Sequence, residues 1–398
     1  MKRRFALFLT LVLIFYYITP ILTLADTKEK KNASLEISAV SVVLLEGSTG
    51  EIIFEKDKDK ELVPASITKI MTLVLIFEAL EKGKIKLEDT VTVSEAAAGK
   101  GGSQVYLEPN ETQTVNDMIK CIAIASANDA ATAMAEHLAG SEAEFVNQMN
   151  EKAKELGMKH TQFKNCTGLD DDITSGHYTS AYDVALMSRE LVTKHPEIKN
   201  YSTVWMDKII HKTKKGESEF GLTNTNKLVR FYSGITGLKT GSTSKAKYCL
   251  SATANRNGMD LIAVVMAAPD VKARFSEASS LLDYGFANCS LYTDAHENLK
   301  LEPQKVTGGV KREVNLKPQE PFHHTFTASV DTEKIKSSVT YTDNFQAPLK
   351  EGSPAGKIIY SLDGKELGSV NLVIAENIKK AGYGDMIVQI MDLFFKVS

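Results

Sequence analysis

The chain has 398 residues, more than a single hydrophobic core usually serves, so two folded domains are expected. With 43% hydrophobic and 24% charged residues it belongs with globular proteins, not with disordered or fibrous ones. Its 47 basic and 50 acidic side chains leave a net charge of -3, which excludes the basic footprint of a nucleic-acid binder.

Lys2, Arg3 and Arg4 precede an apolar run over 5–24, and the small residue Ala25 is followed by polar sequence. This pattern predicts a secretory signal over 1–25, cut after Ala25; an uncleaved membrane anchor is the alternative. After a polar leader to Ser34, the stretches 39–45 and 51–55 flank Gly47-Ser48-Thr49-Gly50 and read as strand, turn, strand. Residues 66–80 are nearly all apolar or small and end at Lys82-Gly83, which predicts a buried helix with a glycine stop. Further helices are predicted over 114–124, 130–138, 141–156 and 180–192. Short β-prone runs follow at 248–254 and 261–267, separated by Asn255-Arg256-Asn257-Gly258, and then a helix over 271–287. Helices inserted between an early strand pair and later strands predict an antiparallel sheet covered by helices.

From 291 to 376 the chain is rich in Val, Thr and turn residues, which predicts a small β domain. In the final segment Asp385, Gln389, Asp392 and Lys396 form one narrow polar stripe on an otherwise apolar helix. About fourteen residues rise roughly 21 Å, too short to cross a membrane but suited to lie in its interface, with Lys379 and Lys380 near lipid head groups. A terminal helix docked on the protein's own core is the competing reading. The expected layout is a signal over 1–25, a catalytic domain over 34–288, a β domain over 291–376 and an amphipathic helix over 377–398.

Cys121, Cys166, Cys249 and Cys289 are scattered without a CxxC pair, and His137, His160 and His177 supply no zinc spacing. Cys121 and Cys249 lie in apolar segments and read as small core hydrophobes, so neither a disulfide framework nor a metal is expected.

Three short motifs carry chemistry. In Pro64-Ala65-Ser66-Ile67-Thr68-Lys69, a helix starting at Ser66 places Lys69 one turn along on the same face. An amine held among Ile67, Ile70 and Leu73 is poorly solvated, which lowers its pKa and lets it take the serine proton. A capping serine beside a snorkelling lysine is the bland alternative, and Ser244 to Lys247 supplies a second Ser-x-x-Lys. In Ser126-Ala127-Asn128 the hydroxyl can relay a proton and the amide can position a substrate backbone, or the triplet simply starts a helix. In Lys239-Thr240-Gly241-Ser242-Thr243, just before the strand at 247–254, lysine and hydroxyls on a strand edge can grip a carboxylate, while glycine allows close approach of a substrate backbone. A polar turn fits that motif equally well by itself.

The order S-x-x-K, S-x-N, K-T-G is the signature of active-site-serine penicillin-binding proteins and β-lactamases. The chain resembles the low-molecular-weight penicillin-binding proteins with D-alanyl-D-alanine carboxypeptidase activity. That likeness extends to Thr167-Gly168-Leu169-Asp170 and Ala273-Arg274-Phe275 and to the whole layout. It implies an α+β fold: a serine β-lactamase/transpeptidase-like domain, a small all-β domain and a C-terminal amphipathic helix. It further implies Ser66 as acylated nucleophile, Lys69 as its base, and Ser126 and Asn128 for proton relay and positioning. Lys239 and Thr240 would bind the terminal carboxylate, with Gly241 giving access and Arg274 in support, and the N–H groups of Ser66 and Ser242 would form the oxyanion hole. Peptidoglycan stem peptides ending in D-Ala-D-Ala would be the substrate, β-lactams the inhibitors, and no cofactor is called for. Exported placement at the outer face of the cytoplasmic membrane follows from the signal and the terminal helix. Two rivals are a class A β-lactamase, whose deacylating glutamate is missing from 159–172, and a wall-binding protein without turnover. The glycine-rich 99–103 segment reads as a loop bordering the substrate groove.

Overall fold

In the computed structural model, residues 35–171, 175–214, 216–328 and 330–395 are described, the last four without their side chains. The expected signal and leader, and Lys396 in the terminal stripe, lie outside the described residues. The first strand, β1 (Ser41–Glu46), is buried along its whole length, and β2 (Ile52–Lys56) pairs with it antiparallel at a sheet edge. Glu46 closes the turn between them, its carboxylate accepting the N–H groups of Ser48 at 3.1 Å and Thr49 at 2.7 Å. The next segment departs from the expected single helix. Ala65–Thr68 forms a 3-10 turn, closed by Ile67 N–H on the Pro64 carbonyl, and only then does helix α1 (Lys69–Glu81) begin. In a 3-10 turn side chains at i and i+3 eclipse, so Ser66 and Lys69 still face one another.

Helices α2 (Val115–Ala123), α3 (Asn128–Ala139), α4 (Glu142–Glu155) and α5 (Ala181–Lys194) follow where apolar periodicity places them. Thr114, Ser141 and Ser180 cap α2, α4 and α5 by accepting the N–H three residues on, the usual work of a hydroxyl at that position. Helix α3 packs buried alanines against its neighbours, so backbones approach closely around α1.

Strands β3 (Met206–Thr213) and β4 (Gly216–Thr223) form a hairpin with no clear signal in the sequence. Then come β5 (Ile235–Thr243), β6 (Lys247–Arg256) and β7 (Met259–Ala268), which join β1 and β2 in one antiparallel sheet of order β2-β1-β7-β6-β5. The Lys-Thr-Gly motif is therefore part of an edge strand and not a turn preceding one. Helix α6 (Val271–Asn288) covers one face. Its Gly285 lies so near β1 and β7 that a Cβ would stand 2.5 Å from Leu261 and 3.0 Å from Leu44. On another helix, α5, Ser188 Oγ lies 2.8 Å from Ser251 Oγ of β6.

Beyond α6 the chain is almost entirely β. The strand β8 (Ser290–Asp294) pairs with β10 (Phe322–Phe326), while β9 (Leu316–Pro318), β11 (Lys336–Tyr341), β12 (Pro354–Leu362) and β13 (Lys365–Ile374) build a sheet of order β9-β13-β12-β11. Small separate cores hold it, one centred on the parallel stack of Phe322 and Tyr360, 3.8 Å between ring centres. Thr325 of β10 meets Thr49 hydroxyl to hydroxyl at 2.8 Å, tying this region to the β1–β2 turn.

Helix α7 (Tyr383–Phe395) ends the described chain. It meets the β region through its polar stripe: Gln389 Nε2 donates to the Gly309 carbonyl at 2.9 Å, and Arg312 donates to the Gln389 carbonyl. Met386, Ile387, Val388, Ile390 and Met391 stay 45% to 59% exposed. These described apolar side chains do not dock on the protein's own core, contrary to the competing reading. Among the described residues no helix is long and apolar enough to cross a membrane. Cys121, Cys166 and Cys249 are buried unpaired thiols, and Cys289 is a half-buried one.

Close packing of α6 on the sheet predicts a stability effect. Gly285→Val should overpack the contact with Leu261 and Leu44 and cost about 1–3 kcal/mol, several degrees in calorimetric Tm; an unchanged Tm would show that the gap relaxes freely.

Candidate active site

Lys69 is fully buried at the first position of α1, while Ser66 on the preceding turn is partly open to solvent. The Lys69 amine donates to Ser66 Oγ at 3.0 Å and to the Thr167 carbonyl at 2.8 Å. Burial holds its pKa down to about 7, against weaker upward pulls from Cys166 and Asp129. A large share of the lysine is therefore a neutral amine at neutral pH, within reach of a hydroxyl proton.

The second motif sits in the short link between α2 and α3. Ser126 is buried with φ +62°, a backbone state that non-glycine residues adopt sparingly. Asn128 opens α3; its Nδ2 donates to the Gly101 carbonyl at 2.7 Å and its backbone N–H to the Ser103 carbonyl at 2.7 Å. Its Oδ1 is buried without a partner, an acceptor left open for an incoming N–H. The adjacent Asp129 carboxylate accepts the N–H groups of Val105 and Leu107, both at 3.1 Å. The 99–103 loop thus borders the second motif and is tied to it.

The third motif lies on β5. Gly241 sits where a Cβ would stand 2.9 Å from the Pro64 carbonyl and 3.1 Å from the Ile67 nitrogen, so glycine lets the strand press on the turn carrying Ser66. Lys239 is buried, with a pKa held well below its ordinary value by burial and then by repulsion from Lys69 and Arg274. Its amine donates to the Thr240 carbonyl at 3.1 Å, and the Thr240 hydroxyl donates to Thr225 Oγ1 at 2.7 Å. Ser242 is exposed at the strand edge. Arg274 reaches from α6 to the Gly241 carbonyl at 3.2 Å and keeps a buried Nε without a partner. Two lysines and an arginine crowd here, an arrangement that favours an anionic ligand. The decoy Ser244 and Lys247 are both exposed at the β5–β6 turn, away from any such burial.

The stretch Thr167 to Asp170 carries no chemistry legible from its residue types alone. In the structure this loop closes the site: Thr167 receives the Lys69 amine, and Asp170 receives the Thr243 hydroxyl at 2.7 Å. Asn165 shapes it by accepting the Gly168 N–H at 2.7 Å, and an Asn two residues before Thr-Gly is a readable turn signal. Gly168 has φ +82°, and a Cβ there would fall 1.7 Å from the Ala65 carbonyl oxygen.

A serine beside a desolvated lysine, under a strand edge that carries a second lysine, is an arrangement suited to acyl transfer through a serine. A family model for D-alanyl-D-alanine carboxypeptidases matches residues 26–270, and one for the C-terminal domain of penicillin-binding protein 5 matches 293–380. D-alanyl-D-alanine carboxypeptidase DacF of Bacillus subtilis is 43% identical over 354 residues, 89% of each chain. DacC of Escherichia coli is 34% identical, covering 87% of this chain and 86% of its own. The crystal structure of penicillin binding protein 5 from Haemophilus influenzae superposes with a TM-score of 0.71 at 32% identity, covering 87% of this chain and 98% of that one. The chain belongs to the D-alanyl-D-alanine carboxypeptidase family of penicillin-binding proteins, and its activity is that of a serine-type D-Ala-D-Ala carboxypeptidase.

The tight seat of Gly168 can be probed directly. Gly168→Ala should drive the loop off Ala65 and away from Lys69, slowing acylation by a fluorescent penicillin on the order of 100-fold; labelling at the wild-type rate would show the loop to be dispensable.

Proposed function

We propose that Ser66 is the residue acylated during D-alanine release from peptidoglycan stem peptides. The supporting observation is the 3.0 Å contact between Ser66 Oγ and a buried, poorly solvated Lys69 amine. Ser66 Oγ attacks the carbonyl carbon between the two D-alanines as Lys69 takes its proton. Backbone N–H groups of Ser66 and Ser242 receive the developing oxyanion. When the C–N bond breaks, the leaving amine is protonated, with Ser126 as relay, and terminal D-alanine departs. Water then hydrolyses the ester. Asn128 Oδ1 accepts a backbone N–H of the substrate, and Lys239, Thr240 and Arg274 hold its terminal carboxylate while Gly241 leaves space for the peptide. Penicillins enter by the same attack and stall at the acyl stage.

The same reading places the protein outside the cytoplasmic membrane, with α7 lying on the lipid surface and the β region as a pedestal. The exposed row from Met386 to Met391 supports this, because Gln389 of the polar stripe is already held by the β region while that row is left open.

Ser66→Ala should abolish both D-alanine release and penicillin labelling; persistent labelling at another residue would sink the assignment. The acylation rate should fall about tenfold per pH unit below an acid limb near pH 7, since protonated Lys69 cannot act as base. A flat profile through that region would remove Lys69 from the role. For the membrane, the pair Ile387→Asp and Ile390→Asp should release the protein from sedimenting lipid vesicles while leaving its penicillin labelling intact, and continued co-sedimentation would refute the anchor.

A further inference from the structure

Glu142 begins α4, directly after the capping Ser141. One carboxylate oxygen pairs with Lys100 Nζ at 2.6 Å; the other accepts the Cys166 backbone N–H and its thiol, each at 3.2 Å. Lys100 immediately precedes Gly101, whose carbonyl receives the Asn128 amide at 2.7 Å. Cys166 immediately precedes Thr167, whose carbonyl receives the Lys69 amine at 2.8 Å. Each arm of one carboxylate therefore grips the residue next to a carbonyl that orients a functional side chain. Neither 99–103 nor 165–170 has regular secondary structure to hold it, so side-chain ties decide its course. Other ties on the second loop come from Asn165, from the Thr72 hydroxyl, which donates to the Cys166 carbonyl at 2.6 Å, and at its far end from Thr243 and Lys245, which donate to Asp170 at 2.7 Å and 2.9 Å.

We propose that Glu142 is a positioning residue of this active site, setting Lys69 through the 165–170 loop and Asn128 through the 99–103 loop. The proposal rests on the reading of Lys69 as base and Asn128 as substrate anchor. An ordinary surface ion pair contributes little. This one is mostly shielded, with the Lys100 and Glu142 side chains 27% and 21% exposed, and it joins three segments that share no ladder. Burial pushes the Glu142 carboxyl up, but Lys100 and the Cys166 N–H outweigh it and hold it below its ordinary value, so it is ionised at neutral pH. Lys69 itself is faced by Cys166 from the loop, Asp129 from α3 and Lys239 from β5. Glu142 acts on it through the backbone between Cys166 and Thr167. With the loop loosened, water reaches the amine, its pKa rises toward that of a solvated lysine, and less of it is neutral at a given pH.

The test measures, on the full chain, penicillin acylation from weakly acidic to alkaline pH and steady-state hydrolysis of a diacyl-D-Ala-D-Ala peptide. Glu142→Ala should slow acylation at neutral pH about 10-fold or more, move the acid limb to higher pH and raise KM. Glu142→Gln keeps an acceptor for Cys166 and loses the ion pair, so its limb should stay at the wild-type position while KM rises. Lys100→Met should reproduce that KM rise with the limb unmoved. Wild-type behaviour of Glu142→Ala would overturn the proposal, and so would a lower active fraction with unchanged limb and KM, which marks a merely structural role. Lys69→Ala separates this from the underlying reading: acylation surviving in that variant removes the base assignment whatever Glu142 does.

Discussion

The constraint that organises this protein is the burial of the Lys69 amine, which has no ion-pair partner among the described residues. A charged ammonium there is costly, so the neutral form gains weight, and the site's reactivity follows from that imbalance. Much of the surrounding structure maintains it. Helix α1 supplies apolar neighbours, and the 165–170 loop caps the amine with the Thr167 carbonyl. Asp129, the nearest acid in sequence to the second motif, spends its carboxylate on the backbone of the 105–107 segment.

The sequence was most legible where periodicity and composition act locally. Residues 271–287 and 141–156 show helical spacing with caps, and the observed helices differ from those ranges by a residue or so. Motif spacing also anticipated that Lys69 would face Ser66, since residues three apart share one side of a turn. What escaped was decided by tertiary contact. Ser66 lies on a 3-10 turn because β5 and Gly168 crowd Ala65 and Pro64 from two sides, and no local propensity encodes that. For the Lys-Thr-Gly motif both a strand edge and a polar turn were open, and pairing with β6 decides for the strand. The β3–β4 hairpin alternates too weakly to be seen, since one side of it is largely exposed.

The β region shows how modest cores suffice when a larger body lends them support. Phe322, Tyr360 and their neighbours fill one small core, and the contact between Thr325 and Thr49 fastens β10 to the turn that Glu46 already closes. That turn is also gripped by Arg189 of α5, which donates to the Gly47 carbonyl at 2.6 Å and the Ser48 carbonyl at 2.7 Å. A displacement of the β region is therefore passed to the edge of the main sheet opposite β5.

Gly241 touches the turn that bears Ser66 with no side chain between them. The separation between strand and serine is then set by van der Waals contact, which neither stretches nor compresses appreciably. In the proposed binding mode, with the substrate's terminal carboxylate held on that strand, the two surfaces work as a calliper with the serine at one jaw and the carboxylate grip at the other. A chain that continues past that grip has no carboxylate to offer at the far jaw. Recognition of a chain end in that mode is a length measurement, and its scale is set by a missing methyl group.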